Sequence, residues 1–279
     1  MTINSSRLYQ LFKYTVYAFL TFNIYLFFDE EFAAAALQFP NGIAPVDMIE
    51  AYSATVDTLA WVVLLLMFEL ETYVLDDDKF TRTTTWLLHG LRAICYAFIV
   101  YAFYGYIANL AFVVDTVPVA GVSDVCALLP GEWSWATTLD EYERITAANC
   151  ASWSEAGVFV QFRDLPAIVD PAGLTDIVRL AWVDVINAAV WLLVVLVLEI
   201  DVRLQERNRF EGLALKLSGA AKFVLYGILF LAAVYWGIKG DFVDFWDAFL
   251  WLVAFVFIEL NVFEWREEEN LALAADSAQ

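Results

Sequence analysis

Histidine is almost missing from this chain: His89 is the single one in 279 residues. A bis-histidine haem, a multi-histidine copper or iron site and a histidine-based zinc site each need several imidazoles, so none fits. No GxGxxG, P-loop or HExxH pattern occurs, and no GxSxG accompanies His89 to suggest a serine triad. No enzymatic activity, cofactor or metal centre is therefore expected. Basic residues are scarce too, with 15 Lys and Arg against 35 Asp and Glu and a net charge of −20. The chain has no basic patch large enough to follow a phosphate backbone, which argues against a nucleic-acid partner. Cysteine is down to three residues. Cys95 sits in an apolar run and reads as a small core residue. Cys126 and Cys150 share one long polar segment and are disulfide candidates in an oxidising compartment, provided their side chains meet.

Apolar residues are abundant. They make up 62% of the chain, against about 45–50% in a typical soluble domain. Six runs are long enough to cross a hydrocarbon core of about 30 Å: 8–28, 52–74, 86–112, 177–202, 218–238 and 241–263. No stretch alternates with period two as a membrane β-barrel would. The expected fold class is all-α: a polytopic membrane protein with six transmembrane helices spanning 1–112 and 177–263, an outer loop cap at 113–176 and an acidic tail at 264–279. Eleven Lys and Arg fall on the side that would hold both termini and four on the other. The positive-inside rule then predicts a multi-pass protein of the cell (inner or plasma) membrane with cytoplasmic termini.

A repeat organises the apolar runs. Asp57-x3-Trp61-x7-Glu69 returns as Asn187-x3-Trp191-x7-Glu199 and as Asp247-x3-Trp251-x7-Glu259. Each copy follows a shorter signature, Lys13-x3-Tyr17, Arg92-x3-Tyr96 or Lys222-x3-Tyr226. Repeats fix architecture before single residues do, and these predict three two-helix units. Equal intervals on equal helices put side chains at equal depth and angle. Each even-numbered span then carries a polar stripe: a Glu toward the cytoplasmic end, a Trp near the middle and an acid or amide toward the outside. Asp184 and Asp244 extend the stripe in the second and third copies. Six helices in three pairs are similar in count to the mitochondrial carriers. Their Pro-x-acid-x-x-base signature is absent, so nothing more is taken from that likeness.

Charges inside a bilayer cost about 2.5–3.5 kcal/mol each even on lenient scales, so they turn inward and find partners. Matched depth predicts one pair per unit: Lys13–Glu69, Arg92–Glu199 and Lys222–Glu259. Two functions compete on this pattern. One is an integral membrane transport or channel-like protein that conducts a cation or proton along the Glu and Asp stripe. The other is a non-catalytic membrane subunit or scaffold whose Lys/Arg–Glu pairs are structural. The implied partners are the lipid bilayer, an inorganic cation or proton, and further copies of the chain or other membrane subunits. Among the connections, residues 33–50 read as an outer loop along the membrane surface. One of Thr83–Thr85 is expected to cap the third span. Thr138-x-x-Glu141 has capping-box spacing, which predicts a helix from about Leu139 to Cys150.

Overall fold

A computed structural model of the chain describes residues 5–39, 41–71, 81–163, 165–206 and 212–257. Glu259, the acidic tail and residues 207–211 lie outside these residues. The described chain is mostly helical, with α1 at Ser5–Gln38, α2 at Met48–Ala51, α3 at Ser53–Glu69 and α4 at Arg82–Val114. Further on come α5 at Cys150–Trp153, α6 at Pro171–Glu206 and α7 at Leu213–Lys239, with residues 242–257 also helical (α8). Among the described residues, four helical stretches are long and apolar enough to cross a membrane: Leu8–Gln38, Arg82–Val114, Pro171–Asp201 and Leu213–Lys239.

These helices close into a ring. Side-chain contacts join α1 to α3, α3 to α4, α6 to α7, and α8 back to α1 through Asn23–Asp247 and Tyr9–Phe257. Cys95 and Ile99 of α4 pack in one cluster with Leu192 of α6. The core lies inside the ring, where Val16 and Leu20 of α1, Leu65 of α3, Val194 of α6, Leu229 of α7 and Ala254 of α8 are nearly inaccessible. Outward residues such as Trp86, Phe223 and Ile238 are apolar and exposed. An apolar rim around an apolar core is what a lipid-facing bundle presents.

Several boundaries differ from the sequence reading. The first span does not stop near residue 28. Helix α1 continues for ten more residues through Asp29–Glu31 and the alanines 33–36, because good helix formers carry on until Pro40. The 33–50 loop is correspondingly shorter. Thr81, rather than one of Thr83–Thr85, caps α4, its hydroxyl accepting from the Thr84 amide at 3.2 Å. Gly105 lets α4 approach the α2–α3 junction, since a Cβ there would lie 2.7 Å from the Ile49 carbonyl oxygen and 2.8 Å from Ser53 Cβ. Gly240 ends α7 in the left-handed region (φ 86°) and turns the chain into α8, a conformation that glycine adopts at little cost.

Between α4 and α6 the chain forms a small mixed sheet. Its strands are β1 (Thr116–Pro118), β2 (Ser134–Ala136), β3 (Tyr142–Arg144), β4 (Val160–Phe162) and β5 (Ala167–Val169), ordered β1-β4-β5-β2-β3. The β2–β5 pair is parallel and the others antiparallel. The helix expected from Leu139 to Cys150 is therefore absent. The Thr138 hydroxyl does accept from the Glu141 amide (3.2 Å), but in the turn of the β2–β3 hairpin, where the Thr137 amide also donates to the Glu141 carbonyl. A threonine–amide bond of this spacing closes a turn as well as it opens a helix. The Cys126–Cys150 disulfide forms, with Cα atoms 4.9 Å apart, and ties a turn at Val125–Leu128 to α5. On its other side the sheet packs Phe162, Leu165 and Val169 against Val113 of α4 and Ile177 of α6. Gln38 at the end of α1 donates to the Tyr142 hydroxyl (3.0 Å). The sheet thus sits on the ends of α1, α4 and α6.

Candidate functional site: carboxylate-lined cavities above a tryptophan triangle

Midway along the bundle, Trp61 (α3), Trp191 (α6) and Trp251 (α8) meet. Their ring centroids are 6.0, 6.2 and 6.5 Å apart, and Phe255 stands 4.6 Å from Trp191. Tilted and edge-on aromatic contacts of this kind are favourable. The triangle fills the axis of the ring and divides it into a sheet end and a far end.

On the sheet end, three small cavities follow one another. The inner one, about 40 Å³, rests on the tryptophans and is lined by Asp57, Asn187, Asp244 and Asp247 with Tyr106 and Phe27. The middle one, about 30 Å³, shares Tyr106, Asn187, Asp244 and Phe27 with the first and adds Glu31, Asp140 and Asp184. The mouth, about 100 Å³, lies between Glu30, the β2–β3 turn at Asp140 and Glu141, and Asp241 and Asp244. Among the described residues no Lys or Arg lines any of the three.

The partners of these carboxylates are neutral donors. Asp57 accepts from the Tyr106 hydroxyl (3.3 Å), Asp247 from Asn23 Nδ2 (2.7 Å) and Asp184 from the Trp236 indole (3.2 Å). Glu31 is buried and takes the Ala54 and Thr55 amides at 2.7 and 3.0 Å, with the Thr55 hydroxyl at 2.6 Å. It therefore caps the start of α3 from a neighbouring helix, where unpaired amides and the positive dipole end favour an anion. Asn187 Oδ1 is buried with no hydrogen-bond partner among the described residues, and its residue lines both inner cavities. In the β2–β3 turn, burial first and then the nearby Asp241 and Glu141 carboxylates push the Asp140 carboxyl up to about 7. Two negative groups resist ionising together when water is scarce.

At the far end the carboxylates meet bases. Lys13 Nζ lies 2.7 Å from Glu69 Oε1, which also accepts from the Tyr14 hydroxyl at 2.8 Å, and Lys13 and Glu69 are both buried. Arg92 is bonded by two contacts, 3.0 and 2.7 Å, to Glu71 and not to Glu199. Glu199 instead pairs with Arg203 one turn along its own helix (2.8 Å) and is half exposed. Lys222 lies 3.4 Å from Asp201, which is buried and also accepts from the Ser218 hydroxyl. The Lys222–Glu259 pair lies outside the described residues. A step of two residues turns a helical side chain by about 200°. Asp201 therefore faces the ring where Glu199 faces out. The acid two places after the repeated Glu reaches forward to the base of the next helix, Glu71 to Arg92 and Asp201 to Lys222.

The structure brings Asp57, Asn187, Asp247 and the three tryptophans to one place, and Lys13 and Glu69 to another. Glu31, Tyr106, Asn23 and Asp140 belong to the sheet-end site and were not singled out from the sequence. For Glu31 the available signal was the unbroken run of helix formers to Gln38. For Asp140 there was none, since its position depends on the hairpin. No family model, curated protein or solved structure matches the chain, so the site is read from its own geometry.

Proposed function

We propose that the chain is a multi-pass membrane protein of six spans in three two-helix units, and that it moves a cation or proton. Helices α3 and α8 complete the spans beside the four long helices. Residues 113–176 cap the outer face and both termini are cytoplasmic, as the eleven-to-four distribution of Lys and Arg supports. The observation that carries the reading is the run of cavities, lined by carboxylates and among the described residues by no Lys or Arg, that leads from the sheet to the tryptophan triangle. Ionisable groups facing a cavity inside a membrane mark ion and proton paths, and one-sign walls concentrate the opposite ion. Three tryptophans at equal intervals on three helices, meeting on one axis, support the threefold organisation. The test is electrical. The purified chain in a planar bilayer should carry a cation-selective current that is lost in the Asp57→Asn, Asp247→Asn double variant. No current from folded, disulfide-bonded protein would overturn the reading.

The second reading, a membrane subunit or scaffold, is favoured by the far end alone. Lys13–Glu69 is a buried pair of the kind that fixes an arrangement without conducting. Under that reading the double variant would fold, assemble and leave every partner complex unchanged, with no current to lose.

A further inference from the structure

The size of the cavities bears on which ion is moved. Space for one water needs about 10–15 Å³, so the middle and inner cavities, about 30 and 40 Å³, hold on the order of two to four waters each. A divalent cation would need six or more oxygen ligands around it. Among the described residues no group of three or more Asp, Glu, His or Cys stands close enough to hold a metal ion. The polar atoms around the two cavities instead fit water. Asn187 Oδ1 is a buried acceptor that nothing among the described residues satisfies, and buried polar atoms of this kind are met by ordered water. Its residue lines both cavities, as Asp244 does, with Asp184 on the middle one and Asp57 and Asp247 on the inner one. Asn23 Nδ2 holds one oxygen of Asp247, and the Tyr106 hydroxyl holds one of Asp57.

We infer that the transported species is the proton, carried over a short water file anchored on Asn187 to Asp57 and Asp247, the innermost acceptors above the tryptophan triangle. The inference rests on the transport reading and narrows its substrate. A proton taken up by a carboxylate oxygen of Asp244 passes to the water held by Asn187. That water gains one proton and releases another to Asp57 or Asp247. One carboxylate loses its charge as the other regains it, and no electron moves.

The test uses full-length protein in liposomes, with an internal pH dye in one set and internal sodium, potassium and calcium dyes in others, under an imposed membrane potential. Proton flux without metal-ion flux is the expected result. Metal-ion flux without proton flux would overturn this inference and leave the transport reading standing. Absence of both, from protein that is monodisperse and disulfide-bonded, would overturn the two together. Two variants locate the water file. Asn187→Leu removes the acceptor and should cut proton flux at least tenfold, whereas Asn187→Asp should retain it. Full flux through Asn187→Leu would contradict the assignment of Asn187, and with it the file.

Discussion

At the far end of the bundle, Glu69, Glu71 and Asp201 each lie within 3.4 Å of a Lys or Arg. At the sheet end, Asp57, Asp184 and Asp247 are held by a tyrosine, a tryptophan and an asparagine, and none of them meets a base among the described residues. Both sets draw on α3 and α6. Asp57 and Glu69 are twelve residues apart on α3, about 18 Å along its axis. What separates the two sets is the chemistry of their partners. A carboxylate with a base beside it is committed to one charge and one place. A carboxylate held only by neutral donors can gain or lose a proton without breaking an ion pair. The far end is a clasp and the sheet end a site.

The largest effect expected from this contrast is at the clasp. Glu69→Gln removes the carboxylate 2.7 Å from the buried Lys13 ammonium, a loss on the order of 3–5 kcal/mol. Unfolding in detergent should show it, and Lys13→Met together with Glu69→Gln should recover most of it. A single variant as stable as the parent would mean that this pair is wet. Next comes the close packing of α4 against the α2–α3 junction near the sheet end. Gly105→Ala pushes a methyl into the Ile49 carbonyl and Ser53 and should cost about 1–3 kcal/mol, read as a lowered melting temperature.

A smaller effect, dependent on pH, is expected at the mouth. Because Asp140 holds its proton up to about 7 in the folded chain, against 3.8 in its ordinary state, the folded state binds more protons across that window. Its stability therefore falls as pH rises from about 4 to 7. Asp140→Asn should flatten this dependence, giving a higher melting temperature than the parent at pH 8 and little difference at pH 4. The reverse order would show that Asp140 is ion-paired. Smallest of all should be Asp57→Asn. The amide oxygen still accepts from Tyr106, so stability should change by less than about 1 kcal/mol. A loss equal to that of Glu69→Gln would erase the distinction between the two ends.

The parts legible in the sequence were those set by spacing along single helices. Apolar runs marked the membrane class, and equal Trp intervals brought Trp61, Trp191 and Trp251 to one level. Matched depth identified Lys13 with Glu69. What escaped was the choice between neighbours around a ring. Arg92 on α4 stands beside both α3 and α6, and depth alone cannot say whether Glu199 or Glu71 turns toward it. The rotation of two residues decides, and it favours Glu71. The sheet escaped for a different reason. Its strands are three residues each and their pairing is non-local, so periodicity had almost nothing to register. With the sheet unread, Asp140 could not be placed over Asp244, and the mouth of the site stayed invisible.

The central claim is that water lines the sheet end as far as the tryptophan triangle, where the three cavities lie. Hydroxyl-radical footprinting of the full chain in lipid nanodiscs measures this directly, because side chains touching trapped water are oxidised even when bulk solvent is far away. Tyr106 and Phe27, which line the cavities, should be modified at readily measured rates. Met67, a more oxidisable side chain that is 5% exposed on the far side of the triangle, should stay nearly silent. Modification of Met67 with Tyr106 and Phe27 protected would contradict the account.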